Sequence, residues 1–246
     1  MKLNIKMDIV DYKAKSSKDF WWFKGKRNLL NVLLNNYCNK TNLKILDVGC
    51  GTGEDLNIIN EFGKITIMDI SKEALNLIPN NLVERKILGD VQKLPQVLYN
   101  KFDVVIMLDL LEHIKNDDLA IDQCYKSLKK DGILILLVPA ISKIYSAHDR
   151  ALQHYRRYDK KVLLKKIGKK FKDNKIFYWN CILSLPIFLL KILRKNSKKG
   201  GTDISSVQLP NFVNGFFYYV IKFENYLIKH KIYLPIGVSL ISIAKK

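Results

Sequence analysis

The 246-residue sequence predicts an α/β fold, an open seven-stranded sheet of the Rossmann-like kind, mostly parallel with an antiparallel last strand. Three observations predict it. Apolar runs of strand length alternate with segments of helical spacing from about residue 44 to residue 180. The first run ends in a glycine-rich turn, Gly49-Cys-Gly-Thr-Gly53, that opens a helix. Acids and other ligand-type residues gather after the C-terminal ends of the strands, where open α/β sheets hold their ligands. Four stretches follow from this reading: an N-terminal helical lid over 1–42, the sheet core over 43–180, an apolar and basic helical insertion over 181–230, and a strand returning to the core over 231–246.

Taken in order, Asp19-Phe-Trp-Trp-Phe-Lys-Gly-Lys-Arg27 sets four aromatics beside three cations, and Asn28 to Tyr37 is apolar at helical spacing. A helix here either packs on the edge of the sheet or covers the ligand; the lid is the favoured expectation. Lys44 to Val48 reads as the buried first strand. Ile65 to Asp69 reads as the second, with Ser71 capping the helix after it. Val83 to Leu88 is the third, closed by Gly89-Asp90-Val91. Phe102-Asp-Val-Val-Ile-Met-Leu108 is the apolar run of a central parallel strand, followed at once by Asp109-Leu-Leu-Glu-His113. Asp117 to Leu128 reads as a helix, and Gly132 to Val138 as the fifth strand, ending at Pro139.

Asp159 to Lys175 predicts a helix with Val162, Leu163, Leu164, Ile167 and Phe171 inward and seven lysines between Lys160 and Lys172 largely outward. Ile176 to Asn180 is the sixth strand. Cys181 to Leu193 is strongly apolar and bounded by lysines, Val213 to about His230 forms an aromatic-rich helix, and Ile232 to Ala244 is the antiparallel return. From Ile176 to Leu190 there are 15 uncharged residues, too few to span a bilayer.

The net charge is +19, and its distribution matters more than its size. Residues 1–150 carry 22 Lys/Arg against 19 Asp/Glu, whereas 151–246 carry 20 against 4. A basic C-terminal part points to an anionic surface, membrane or nucleic acid, or else to a solvated basic face. Cys38, Cys50, Cys124 and Cys181 show neither disulfide nor metal-ligand spacing and read as reduced thiols. The opening residues lack the succession of a secretory leader. The expected location is therefore the cytoplasm, peripheral on the inner face of the membrane if the basic part docks there.

The glycine turn carries the chemistry. A dinucleotide fingerprint needs a glycine three positions after Gly51, and that position is Glu54, followed by Asp55. Two acids in the first helical turn would repel a pyrophosphate but suit a sulfonium or an ammonium. In doubly wound folds an acid about 20 residues beyond the turn takes ribose hydroxyls. Asp69 fits that role, with Ile70 beside the base.

Asp47-Val-Gly-Cys-Gly-Thr-Gly53 resembles the first motif of the class I S-adenosylmethionine (SAM)-dependent methyltransferases. Trp22 to Arg27 and His154-Tyr-Arg-Arg-Tyr158 resemble segments of a bacterial branch of that superfamily. The resemblance implies SAM as cofactor, held by Asp47, Gly49, Cys50, Gly51, Gly53, Asp69, Ile70 and Leu108. Asp90 then binds the adenine amino group, Val91 lines the ring, and Arg27 reaches the methionine carboxylate. Asp109-Leu-Leu-Glu-His113 is unlike the Asn/Asp-Pro-Pro-aromatic turn of base N-methylating enzymes and similar to that of small-molecule and lipid-quinone O-methyltransferases. In some relatives the corresponding motif holds a divalent metal, which would make Asp109, Glu112 and His113 a Mg²⁺ site. The competing reading of these three is helix capping and core packing.

Methyl transfer needs an aligned nucleophile and a base for its proton. Among the histidines, which titrate near neutrality, His154 is the first expectation for that base and His148 the second, with His113 a further candidate. Arg156 and Arg157 are expected to hold an anionic group of the acceptor, flanked by Tyr155 and Tyr158; a structural network joining this loop to the sheet is the alternative. The resulting expectation is an O-methyltransferase acting on a small-molecule or lipid-linked acceptor, glycolipid, polyprenyl-linked or quinone-type, at an anionic membrane surface. RNA methylation by the basic C-terminal surface and a non-catalytic SAM-binding module are the alternatives. So is an insertion that is merely core or a dimer interface.

Overall fold

The computed structural model describes residues 19–38, 41–184 and 210–246. Residues 1–18 of the expected lid and most of the apolar run expected over Cys181 to Leu193 lie outside those residues. Seven strands form one sheet in the order β3-β2-β1-β4-β5-β7-β6. They are β1 (Leu43–Val48), β2 (Gly63–Asp69), β3 (Arg85–Leu88), β4 (Phe102–Leu108), β5 (Leu128–Pro139), β6 (Asp173–Trp179) and β7 (Ser239–Lys245). The first five are parallel, and β7 runs antiparallel to both β5 and β6. Residues 104–108 of β4 and 133–138 of β5 are apolar without alternation because both of their faces are covered.

One face packs Ala120, Ile121 and Cys124 of a helix over Asp117–Ser127 and Leu163 and Ile167 of a helix over Lys160–Gly168. The other face packs Leu29, Leu30, Leu33 and Leu34 of α1 (Trp21–Tyr37) and Ile221 and Ile228 of the helix over Asn211–Lys229. In chain order the helices are α1, α2 (Leu56–Ile59), α3 (Lys72–Leu77), α4 (Asp117–Ser127), α5 (Ala147–Ala151), α6 (Lys160–Gly168) and α7 (Asn211–Lys229).

β5 starts at Leu128 rather than Gly132, and the antiparallel return starts at Ser239 rather than Ile232; two further boundaries differ from expectation for one shared reason. β6 starts at Asp173, because polar Asp173 to Lys175 pair with Lys245, Ala244 and Ile243. The preceding helix must therefore end at Gly168 to leave room for a turn. Leu163, Ile167 and Phe171 are buried as expected, but Val162 and Leu164 are exposed. Only the row at four-residue spacing faces the sheet.

The first and last helices of the described residues clasp each other. Gly25 of α1 lies so close to Ile221 of α7 that a side chain there would overlap it. Asn225 donates to Gly25 O and Asn28 Oδ1, each at 2.9 Å, and accepts from Trp179 Nε1 at 2.9 Å. At the other end Trp21 N donates to Asn214 Oδ1 at 2.8 Å. Gly25→Val should destabilise the fold by about 1–3 kcal/mol. In a denaturant-unfolding double-mutant cycle with Ile221→Ala, the double variant should lose less than the sum of the single losses.

Candidate active site

The C-terminal ends of β1 to β4 meet at one edge. After Val48 the chain turns through Gly49, Gly51 and Gly53 at φ of 71°, 53° and 79°, a region glycine enters without strain. A Cβ on Gly49 would lie 2.7 Å from the Leu110 side chain, so the glycine turn and the segment after β4 are in contact. Thr52 Oγ1 and Asp55 Oδ1 are buried without a hydrogen-bond partner. Such atoms suit a ligand that supplies the missing partner. Asp69 accepts from Gly51 N at 2.9 Å and Ser71 N at 2.8 Å; each carboxylate oxygen retains a lone pair for a further donor. Ile70 beside it is 45% exposed. Asp90 accepts from Gln92 N at 2.8 Å and from Gln92 Nε2, and Val91 is buried. Cys50 and Leu108 are half-buried against the sheet.

Asp47 is buried under the turn. Burial and the nearby Asp55 and Asp69 push its carboxyl up to about 8, against the pull of Lys26. Lys26 is itself buried, its Nζ 3.2 Å from Asp109 Oδ2 and 3.7 Å from Asp55 Oδ2. Arg27 ion-pairs with Glu54 at 3.6 Å. Thus α1 delivers two adjacent cations onto the acids of the glycine turn.

Beyond Leu110, Glu112, His113 and His154 bring one ligand atom each within 4.8 Å of one another. The His113 and His154 rings stand edge to face, with centroids 4.7 Å apart. Tyr155 N donates to Glu112 O at 2.8 Å and fixes the two segments together. Glu112 is buried and its Oε2 has no hydrogen-bond partner. Burial and the charge of Asp109 push its carboxyl well above the usual range. Burial and the charge of His154 push His113 down to about 4, against Asp109, so His113 is neutral at neutral pH.

Asp149, fully buried, orders this corner. Its Oδ2 accepts from Ser146 N at 2.8 Å and Oγ at 3.0 Å; its Oδ1 contacts His154 Nδ1 at 3.1 Å and Arg157 Nε at 2.7 Å. Burial works against its ionisation, but the hydrogen bond with His154, the Arg157 charge and the Ser146 amide hold it well below the usual carboxylate range. An ionised carboxylate only accepts, so His154 Nδ1 carries the hydrogen and Nε2 is left as the basic nitrogen.

Several expected roles change. Asp109 belongs to the Lys26 ion pair and, at φ 51°, does not share the cluster of Glu112 and His113; His154 takes that place. Arg156 binds Asp117 Oδ2 at 2.9 Å and Lys115 O at 2.8 Å, and Arg157 is bound to Asp149. Tyr158 is buried, donating to Asp117 Oδ2 at 2.9 Å. These three thus take part in a network in which internal carboxylates hold both guanidinium groups. Tyr155, half exposed, stays at the surface of the loop, and His148 sits on α5 outside the Glu112, His113 and His154 group. Sequence reasoning missed Lys26 and Asp149. The signal for Asp149, an acid five residues before His154 in a loop rich in partners, was present.

A family model described as a methyltransferase domain matches residues 46–136. The chain is 32% identical over 158 residues to an uncharacterised protein of Methanocaldococcus jannaschii, covering 64% of this chain and 66% of that one. It is 34% identical to a ubiquinone biosynthesis O-methyltransferase of Haemophilus ducreyi, covering 44% of this chain and 52% of that one. The chain thus spans about two thirds or less of these curated relatives. Among solved structures it is similar to a SAM-dependent methyltransferase of Archaeoglobus fulgidus, with a TM-score of 0.56, 19% identity, and 89% and 94% of the two chains covered. At that identity the likeness is one of fold.

Asp149→Asn should cost about 3–5 kcal/mol at pH 7, because it leaves Arg157 buried beside a neutral amide. A carboxyl held low in the folded state stabilises the fold above its unfolded value of about 4 and loses that contribution as pH falls. The gap between variant and parent, measured by denaturant unfolding, should therefore narrow below about pH 4.

Proposed function

We propose that the chain, whose residues 46–136 match a methyltransferase domain model, is a class I SAM-dependent methyltransferase that methylates a hydroxyl oxygen of a small-molecule acceptor, lipid-linked acceptors foremost, at a membrane face. The Asp149–His154 pair beside a glycine-floored, acid-lined cleft carries this reading. The O-methyltransferase relative supports the choice of oxygen, and the surplus of 20 Lys/Arg over 4 Asp/Glu in 151–246 supports the membrane face.

The cleft fits SAM. Asp69 keeps acceptor capacity for ribose hydroxyls, Ile70 offers an exposed apolar face to a base, and Asp90 stands at the adjacent strand end. Asp47 and Asp55 favour a cation near the turn, and Lys26 and Arg27 are the cations nearest for a carboxylate. SAM, when bound, supplies a methyl group activated on a sulfonium. On the acceptor side, His154 Nε2 takes the proton that the hydroxyl loses, and ionised Asp149 stabilises the imidazolium that results. The clasp of α1 and α7 keeps water from the sheet face beneath the cleft.

One observation favours a second reading of the acceptor side. The orphaned Glu112 Oε2 beside His113 and His154 is a donor set for a divalent cation. Two imidazoles and one carboxylate suit Zn²⁺ or Mn²⁺ better than the Mg²⁺ expected from sequence.

His154→Ala should lower kcat about 10²- to 10⁴-fold, with the Kd for SAM unchanged by calorimetry. Activity that survives prolonged chelation leaves His154 as the base; activity lost to the chelator and restored by Zn²⁺ or Mn²⁺ favours the second reading. An unaltered kcat in the variant rejects both. A second expectation concerns Asp47. Its carboxyl, at about 8 in the free protein, is mostly protonated at pH 7, and a cation beside it favours ionisation. SAM binding should therefore release protons, seen as a dependence of the calorimetric heat on the ionisation enthalpy of the buffer.

A further inference from the structure

α7 has two faces of opposite fate. Ile221, Glu224, Asn225 and Ile228 are buried against α1 and the sheet. On the opposite side Phe212, Phe216, Tyr219, Phe223 and Tyr226 follow one another at spacings of four and three, and each is 55–79% exposed. That spacing aligns them in one stripe, about 21 Å long at 1.5 Å per residue. Exposed Ile232 and Ile236 follow the helix.

On α7 and the turn that follows it, the exposed charges have a single sign. Lys222, Lys229 and Lys231 are exposed. Glu224, the one acid in α7, is turned inward, where its carboxylate accepts from Cys181 N at 2.9 Å and Ile182 N at 3.2 Å. Among the described residues no helix is long and apolar enough to cross a membrane. A helix with a lasting aromatic face, basic neighbours and no exposed acid has the composition of one that lies in the plane of an interface.

We propose that the Phe212–Tyr226 stripe of α7 is a docking surface for an anionic bilayer, its phenyl rings entering the acyl boundary and its tyrosine hydroxyls and lysines remaining among the headgroups. Charge complementarity selects this partner. A second copy of the chain would set Lys222, Lys229 and Lys231 against their equivalents, whereas anionic headgroups neutralise them. The proposal deepens the membrane side of the function proposed above and rests on it only for the origin of the acceptor. α7 is clasped to α1, and α1 carries Lys26 and Arg27 into the cleft; docking would thus hold the rim of the cleft close to lipid.

The test is co-sedimentation of the full chain with vesicles of phosphatidylcholine alone and with 30% (about one lipid in three) phosphatidylglycerol added. Binding to the anionic vesicles, with at least a tenfold weaker partition for Phe216→Ser/Phe223→Ser at unchanged melting temperature, is the expected result. Phe216→Trp, compared with the parent, should also add emission that brominated lipids quench. The assignment is overturned if both vesicle types fail to bind, or if the serine variant binds as tightly as the parent, which would leave attraction by lysines alone. It is equally overturned if the stripe variant abolishes a dimer seen by light scattering. Calorimetry with SAM is run on the same preparations. Lost SAM binding with intact vesicle binding would reject the enzymatic reading and leave the docking surface standing.

Discussion

A single buried amide holds distant parts of this chain in register. Asn225 joins Gly25 and Asn28 at the start of the described chain to Trp179 at the end of β6, bridging a separation of 200 residues. An amide satisfied on both its donor and acceptor sides in a water-excluded layer tolerates little rotation, since each lost bond would leave an unpaired polar atom there. The contact at Gly25 and Ile221 admits no side chain between the helices. Together they fix how α1 is turned, and with it the descent of Lys26 toward Asp55 and Asp109. They also fix how α7 is turned, and with it the outward direction of its aromatic stripe. Cleft and surface are two results of one clasp.

The cleft illustrates how burial assigns protonation. Asp47 and Glu112 are carboxyls pushed toward their neutral forms, while Asp149 is held ionised by an imidazole, a guanidinium and two groups of Ser146. The difference lies in hydrogen-bond donors: Asp149 has them and Glu112 Oε2 has none. One corner of the fold is therefore electrostatically complete, and the neighbouring carboxyl waits for a proton, a cation or a substrate group.

Much of this was legible in the chain. The glycine turn, the acids at strand ends and the apolar runs placed β1 to β5, because a strand buried on both faces must be apolar throughout. Asp69 and the other cofactor candidates fell on one edge for the same topological reason. What could not be read was pairing. Asp109, Glu112 and His113 looked like one ligand set because they are adjacent, but the left-handed backbone at Asp109 sends its carboxylate to Lys26, and His154 arrives from 41 residues away. Arg156, Arg157 and Tyr158 looked free for an anion because their partners, Asp117 and Asp149, are remote or unremarkable in sequence. β6 begins in polar residues because, among the described residues, it is an edge strand with a neighbour on one side only.

The placement of β7 between β5 and β6 has a consequence for biosynthesis. Pro139 pairs with Ser239, so about 100 residues must be polymerised before β5 receives its outer neighbour. At 5–20 residues per second the ribosome needs roughly 5–20 s for that distance. During this interval the nascent β5 presents an unpaired, strongly apolar margin, the kind of template to which other strands adhere. Chaperone capture of the half-made sheet at this stage, relieved when β7 arrives, would be a cotranslational requirement imposed by topology alone.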